Sequence, residues 1–122
     1  MPTKDITTRE EIMELMEPGG EPAIIDFWAP WCGPCRSMAP QYEAAAVEMA
    51  DADVTFYKLN TQAHPELAQA FNVRSLPTIM AINDGQIQDV IIGVQSGQAI
   101  LRFARKLNSK SSGEGFLKRL FG

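Results

Sequence analysis

The chain has 122 residues, 45% of them apolar and 21% charged, with two cysteines, one histidine and a formal charge of −4. That length fits a single domain that needs neither a structural disulfide nor a structural metal to bury its core. An acidic body without a basic stripe argues against nucleic acid as a partner, and no apolar run approaches the roughly 20 residues that span a bilayer.

The charge is unevenly spread. Residues 1–101 hold 14 acids and 5 bases, whereas 102–122 hold 6 bases and one acid, Glu114. Met1–Asp5 lacks a basic stretch followed by an apolar one, so no secretory signal is visible and the cytoplasm is the expected compartment. There, paired cysteines serve catalysis or metal binding more often than structure.

Taken in order, only Ile6 supports a first strand around residues 4–7. Thr8-Arg9-Glu10-Glu11 has the form of a capping box. Ile12, Met13, Leu15 and Met16 then follow at helical spacing up to Pro18-Gly19-Gly20. Residues 23–29 form an apolar run with one acid in it, Asp26, the pattern of a strand buried on both faces. From Cys32 or Gly33 a helix runs to about Ala50, and Pro40 inside it should kink rather than end it. A strand over 54–60 puts Val54, Phe56 and Lys58 on one face. A short helix over 65–71 has Pro65 in its first turn, with His64 as a surface residue capping it. A strand begins near Pro77, and Asn83-Asp84-Gly85-Gln86 is a hairpin signal leading to an antiparallel strand over 87–92. Ser96 caps a last helix that buries Ile100, Leu101, Phe103, Ala104 and Leu107. The methionines at 13, 16, 38, 49 and 80 read as core filler. After Asn108 the composition becomes that of a flexible linker, followed by Phe116-Leu117-Lys118-Arg119-Leu120-Phe121, a short basic amphipathic stretch. It reads as a loose tail, with docking on a partner or an anionic membrane as the alternative; it is too short for stable membrane anchoring.

The chemistry lies in Trp31-Cys32-Gly33-Pro34-Cys35. Two cysteines at this spacing perform thiol–disulfide exchange, one thiolate attacking and the other resolving the mixed disulfide. At a helix N-terminus the first thiol feels the positive end of the macrodipole, which lowers its pKa from about 8.5 towards 7. Cys32 is therefore the expected nucleophile and Cys35 the resolving thiol. Gly33 allows close approach of a substrate chain and Pro34 stiffens the turn. Half of a zinc site and a static structural disulfide are the alternatives. Zinc needs four ligands, and His64 is the only histidine; a static bridge leaves the flanking tryptophans and prolines without purpose. Asp26, buried in its strand, should have a raised pKa. It can accept the Cys35 proton through a water when that thiol attacks the mixed disulfide, with Lys58 at the same height on the next strand tuning it. The alternative is a buried acid–base couple kept for fold specificity.

Trp28-Ala29-Pro30-Trp31-Cys32-Gly33-Pro34-Cys35-Arg36 resembles the active-site signature of the thioredoxin family. The resemblance extends over roughly residues 4–107, through Asp26, Pro40, Lys58-Leu59-Asn60, Leu76-Pro77-Thr78, Asp84-Gly85 and Gly93. It implies an α/β fold: a central mixed five-stranded sheet flanked by four helices over 1–107, followed here by a flexible extension over 108–122. It also implies a cis-Pro77 facing the dithiol, with the Leu76 backbone pairing with a substrate strand. A proline starting a strand suits an edge where another chain approaches. The docking surface is then Trp31, Gly33, Pro34, Thr61, Ser75, Leu76, Ile92, Gly93 and Val94, with Trp31 capping the site and Trp28 packing beneath it. The implied activity is general protein-disulfide reduction, without cofactor or metal, by a monomer whose pair a thioredoxin reductase resets. Asn60-Thr61-Gln62 departs from the pattern, since many members carry an apolar residue and then an acid there. Two rivals stand beside this reading. A thiol oxidase or isomerase usually carries histidine at the position of Pro34. A redox-insensitive docking subunit would survive loss of both thiols.

Overall fold

A computed structural model of the chain describes residues 2–109. In order these form β1 (Thr3–Asp5), α1 (Arg9–Leu15), β2 (Ala23–Trp28), α2 (Gly33–Glu48), β3 (Thr55–Asn60), α3 (Pro65–Ala70), β4 (Thr78–Asn83), β5 (Gln86–Ile92) and α4 (Gly97–Ser109). The strands make one five-stranded sheet in the order β1-β3-β2-β4-β5. β1 and β2 run parallel to β3, while β4 runs antiparallel to both β2 and β5. This is the expected mixed sheet with four helices.

The central position of β2 explains its composition. Ala23, Ile24, Ile25, Asp26 and Phe27 are all buried because helices cover both faces of the sheet. On one face Ile24, Phe56, Ile79 and Ala81 pack with Met38, Tyr42, Ala45 and Ala46 of α2 and with Ile100, Phe103, Ala104 and Leu107 of α4. On the other, Ile25, Phe27, Leu59, Met80 and Ile82 pack with Ile12 and Leu15 of α1 and Leu67 and Ala68 of α3. Tyr42 links the layers: its hydroxyl donates to the Tyr57 carbonyl at 2.6 Å, and its ring meets Phe56 edge-on.

Local signals hold α1 and the hairpin in place. The Thr8 hydroxyl accepts from the Glu11 N–H while the Glu11 carboxylate accepts from the Thr8 N–H, closing the capping box. Asp84 (φ 55°) and Gly85 (φ 73°) both take positive φ, as the tight turn joining β4 to β5 requires. A β-carbon at Gly85 would clash with the Glu17 carbonyl oxygen, so this turn is also wedged against the loop after α1. Ser96 caps α4, its hydroxyl accepting from the Ala99 N–H at 3.1 Å.

Several expectations need correction or refinement. The weak first strand exists: β1 is only three residues long, but pairs with β3 along its length and leads into the buried Ile6. Met13 is not core; it is 56% exposed, because α1 buries only the stripe carrying Ile12 and Leu15. Met38, Met49 and Met80 are buried as expected. His64 stands at the N-cap of α3 but makes no capping hydrogen bond with its side chain. Pro77 does not open an edge strand. It precedes β4, which lies between β2 and β5, so whatever approaches it meets the end of the sheet rather than its side. Pro40 lies within a continuous α2. α4 runs to Ser109, and the expected extension from 110 onward lies outside the described residues.

Candidate active site

The buried β2 ends at Trp28, and the chain turns through Ala29–Trp31 into α2. Cys32 is the N-cap of that helix, with extended backbone (φ −86°, ψ 106°), and Pro34 falls in the first turn, where no backbone donor is lost. Its sulfur accepts from the Cys35 N–H at 3.2 Å, so Cys32 Sγ occupies the place of a capping oxygen at the positive end of the helix. Cys32 and Cys35 are joined as a disulfide across this turn, their α-carbons 5.3 Å apart. Both are largely buried (Cys32 5%, Cys35 2% exposed) against Ala29, Trp28 and Leu76. The more exposed of the two is the one expected to attack.

A cleft of about 480 Å³ opens beside the disulfide. Trp31, Cys32, Gly33, Pro34, Thr61 and Leu76 are among the residues that line it. Trp31 is 67% exposed, a large aromatic left on the surface. Thr61 is fixed by its N–H and hydroxyl, which donate to the Trp28 carbonyl at 2.8 and 3.1 Å. Ala68, Val73 and Arg74 complete the lining, and sequence reasoning missed all three. They come from α3 and the loop after it, some 30 to 40 residues downstream, and carry no motif. The one signal that points to them is their position just before Leu76-Pro77.

The Leu76–Pro77 peptide bond is cis. Leu76 packs on the cysteine cluster, and the ladder of β4 begins only at Thr78, so the Leu76 backbone lies beyond it. Gly93 donates its N–H to the Pro77 carbonyl at 2.9 Å, holding the end of β5 beside the proline. Ile92 and Val94, 62% and 51% exposed, stand next to it but do not line the cleft.

Two residues before Trp28 in β2 stands Asp26, 1% exposed. Alternation along β2 puts it on the same face as Ile24 and Trp28, towards α2. Its Oδ1 has no hydrogen-bond partner among the described residues, and neither has the buried Trp28 Nε1. Burial pushes the Asp26 carboxyl up to about 7; Lys58 opposes this and Glu43 adds to it. Asp26 and Lys58 are directly opposite in the β2–β3 register. They do not form a close ion pair; the Lys58 ammonium instead stands 4.7 Å over the Trp28 ring. Lys58 therefore acts on Asp26 through space. The alternative of a tightly paired buried couple does not describe this arrangement.

A cysteine pair at the N-terminus of a helix that follows the central strand of a mixed sheet, next to a cis-proline loop, defines a thiol–disulfide oxidoreductase of the α/β class. Comparison with known proteins gives the family. The thioredoxin family model matches residues 4–106. The chain is 40% identical over 89 residues to thioredoxin 1 of Synechococcus elongatus, covering 73% of this chain and 78% of that protein. It is 44% identical over 82 residues to a thioredoxin of Mycobacterium tuberculosis, covering 67% and 70%. Among solved structures, a thioredoxin of Malassezia sympodialis superposes with a TM-score of 0.78 at 25% identity, covering 87% of this chain and 90% of that one. Mitochondrial thioredoxin 3 of Saccharomyces cerevisiae superposes at 0.74 with 29% identity, covering 85% and 94%. The chain belongs to the thioredoxin family.

Its activity is accordingly dithiol–disulfide exchange through the redox-active pair Cys32–Cys35. Membership implies disulfide-bearing protein substrates and a reductase that returns the pair to the dithiol. No helix among the described residues is long and apolar enough to cross a membrane. Among the same residues no cluster of three or more histidine, cysteine or acidic side chains is placed to hold a metal.

Proposed function

We propose that the chain works in the reducing direction, as a general protein-disulfide reductase. The Cys32 thiolate attacks one sulfur of a substrate disulfide; a new S–S bond joins Cys32 to the substrate, and the other substrate sulfur leaves as a thiolate. Asp26 takes the proton of Cys35 through a water. The Cys35 thiolate then attacks Cys32 Sγ, the mixed disulfide breaks, and the second substrate sulfur leaves. Two electrons pass to the substrate, and the protein is left with the Cys32–Cys35 disulfide for a thioredoxin reductase to reduce.

The observation that carries this reading is the pairing of a helix-capping cysteine with an unpartnered buried carboxyl on the same face, whose pKa of about 7 suits proton uptake near neutral pH. Lys58 keeps that pKa from rising further. Trp31, Gly33, Pro34 and Leu76 bind the substrate segment, supported by their place around the cleft. Pro77, Ile92 and Gly93 extend that surface past the dithiol. Gly-Pro between the cysteines supplies no charge that would hold the Cys32 thiolate as a leaving group, which favours reduction over disulfide donation. A reducing compartment, the cytoplasm, suits that direction. The single-domain fold with an acidic body suits a monomer that binds proteins rather than nucleic acid.

The test is trapping. With a disulfide-bonded protein substrate, Cys35→Ser should accumulate a covalent adduct through Cys32, and Cys32→Ser should form none. Adduct formation by Cys32→Ser would reverse the assignment of the two thiols. Absence of any adduct and of turnover would refute the reductase reading.

A further inference from the structure

The cleft beside the dithiol is lined mainly by apolar groups, and its one charged residue is Arg74. The Arg74 Nε–H donates to the neutral Asn72 Oδ1 at 3.4 Å, a long contact with a weak partner. The one ion pair among the described residues joins Arg105 and Glu48 and lies elsewhere, so Arg74 faces the cleft without a carboxylate of its own. Thr61, which also lines the cleft, is uncharged. In a body with 14 acids and 5 bases over residues 1–101, one of the few cations thus stands unneutralised in the lining of the cleft that also holds Cys32.

We propose that Arg74 is a specificity-determining residue that selects disulfide substrates carrying an acidic side chain about two residues from the attacked cysteine. The proposal rests on the reductase reading and names the substrate class that the site prefers. Arg74 lies two residues before Leu76, so their backbones are separated by at most about 7 Å. A substrate strand that pairs with the Leu76 backbone while presenting its cysteine to Cys32 carries a residue two positions along into reach of the guanidinium. A carboxylate there accepts two parallel N–H bonds at the open mouth of a cleft lined by Trp31, Pro34, Val73 and Leu76. The same carboxylate is repelled by the rest of the acidic surface, so the preference is local to this cleft.

The experiment uses two disulfide peptides identical except for Glu or Gln two residues from the cysteine, and compares kcat/KM for each with the full chain. The Glu peptide is expected to be favoured by about two- to fivefold at low salt, as for a solvent-exposed, charge-assisted pair. The preference should largely vanish at roughly 1 M salt, where the Debye length falls to about 3 Å. Arg74→Gln should bring the ratio to about one, and Arg74→Glu should turn the preference towards a Lys peptide; a role confined to packing predicts no such reversal. The salt dependence of the unsubstituted protein tests the idea even if a variant fails to fold. Equal rates on both peptides, or an undiminished preference in Arg74→Gln, would overturn the proposal and leave the reductase reading intact. Reduction of neither peptide would overturn both.

Discussion

Asp26→Asn should gain stability relative to the unsubstituted protein as pH rises. Asp26 is buried in β2 with an oxygen that has no hydrogen-bond partner among the described residues, and its carboxyl is pushed from 3.8 up to about 7, chiefly by loss of water. In the unfolded chain it titrates near 3.9. Between about pH 4 and pH 7 the folded protein therefore holds a proton that the unfolded chain has released, so stability falls as pH rises through this window. At roughly 1.4 kcal/mol per pH unit, the interval amounts to about 4 kcal/mol, fully lost by about pH 8. Asparagine removes the titration. It adds a buried amide whose cost is the same at every pH, so the informative quantity is the slope. Urea unfolding of both oxidised proteins from pH 4 to pH 8 measures it, since the disulfide keeps the cysteines from titrating and the other groups cancel in the difference. The stability of Asp26→Asn relative to the unsubstituted protein should rise by about 4 kcal/mol across the range. A difference that stays constant within about 1 kcal/mol would refute a buried, proton-holding Asp26.

Other predictions follow from single contacts. Tyr42→Phe removes the hydroxyl that donates to the Tyr57 carbonyl and should cost about 1–2 kcal/mol in urea unfolding, since that acceptor loses its side-chain donor in a buried layer. Gly85→Ala should cost at least about 1–3 kcal/mol, because the residue has φ 73° and its new β-carbon meets the Glu17 carbonyl; a Tm within a degree of the parent would contradict the wedged turn. Trp31→Ala should leave stability within about 0.5 kcal/mol, the residue being 67% exposed. It should raise KM for protein disulfides, and an unchanged KM would remove Trp31 from the docking surface.

Much of this was legible because the residues concerned are unusual in their local context. One acid in an apolar run announces a central strand and a perturbed carboxyl together, and Asp26 is both. The cysteine spacing, the capping box at Thr8–Glu11 and the Asp84-Gly85 turn are short-range signals, and each appears where it was expected. What was not legible depends on packing between distant segments. β1 has too few residues to show a period, and its pairing with β3 is what makes it a strand. Met13 sits at an apolar position of a seven-residue helix, too short for the pattern to tell the buried stripe from its neighbour. Ala68, Val73 and Arg74 reach the site only because α3 and the loop after it fold back against the end of β2. Pro77 looked like an edge because strand order cannot be read from a proline; β5 takes the edge instead.

The central claim is that the Cys32–Cys35 pair reduces protein disulfides, and its reduction potential tests that most directly. Equilibration of the purified protein with glutathione buffers, followed by quantifying dithiol and disulfide forms, should give a value near about −270 mV, typical of thioredoxin. At that potential the dithiol is a donor of electrons to ordinary substrates. A value of about −180 mV or higher would place the pair with disulfide isomerases and donors and contradict the account.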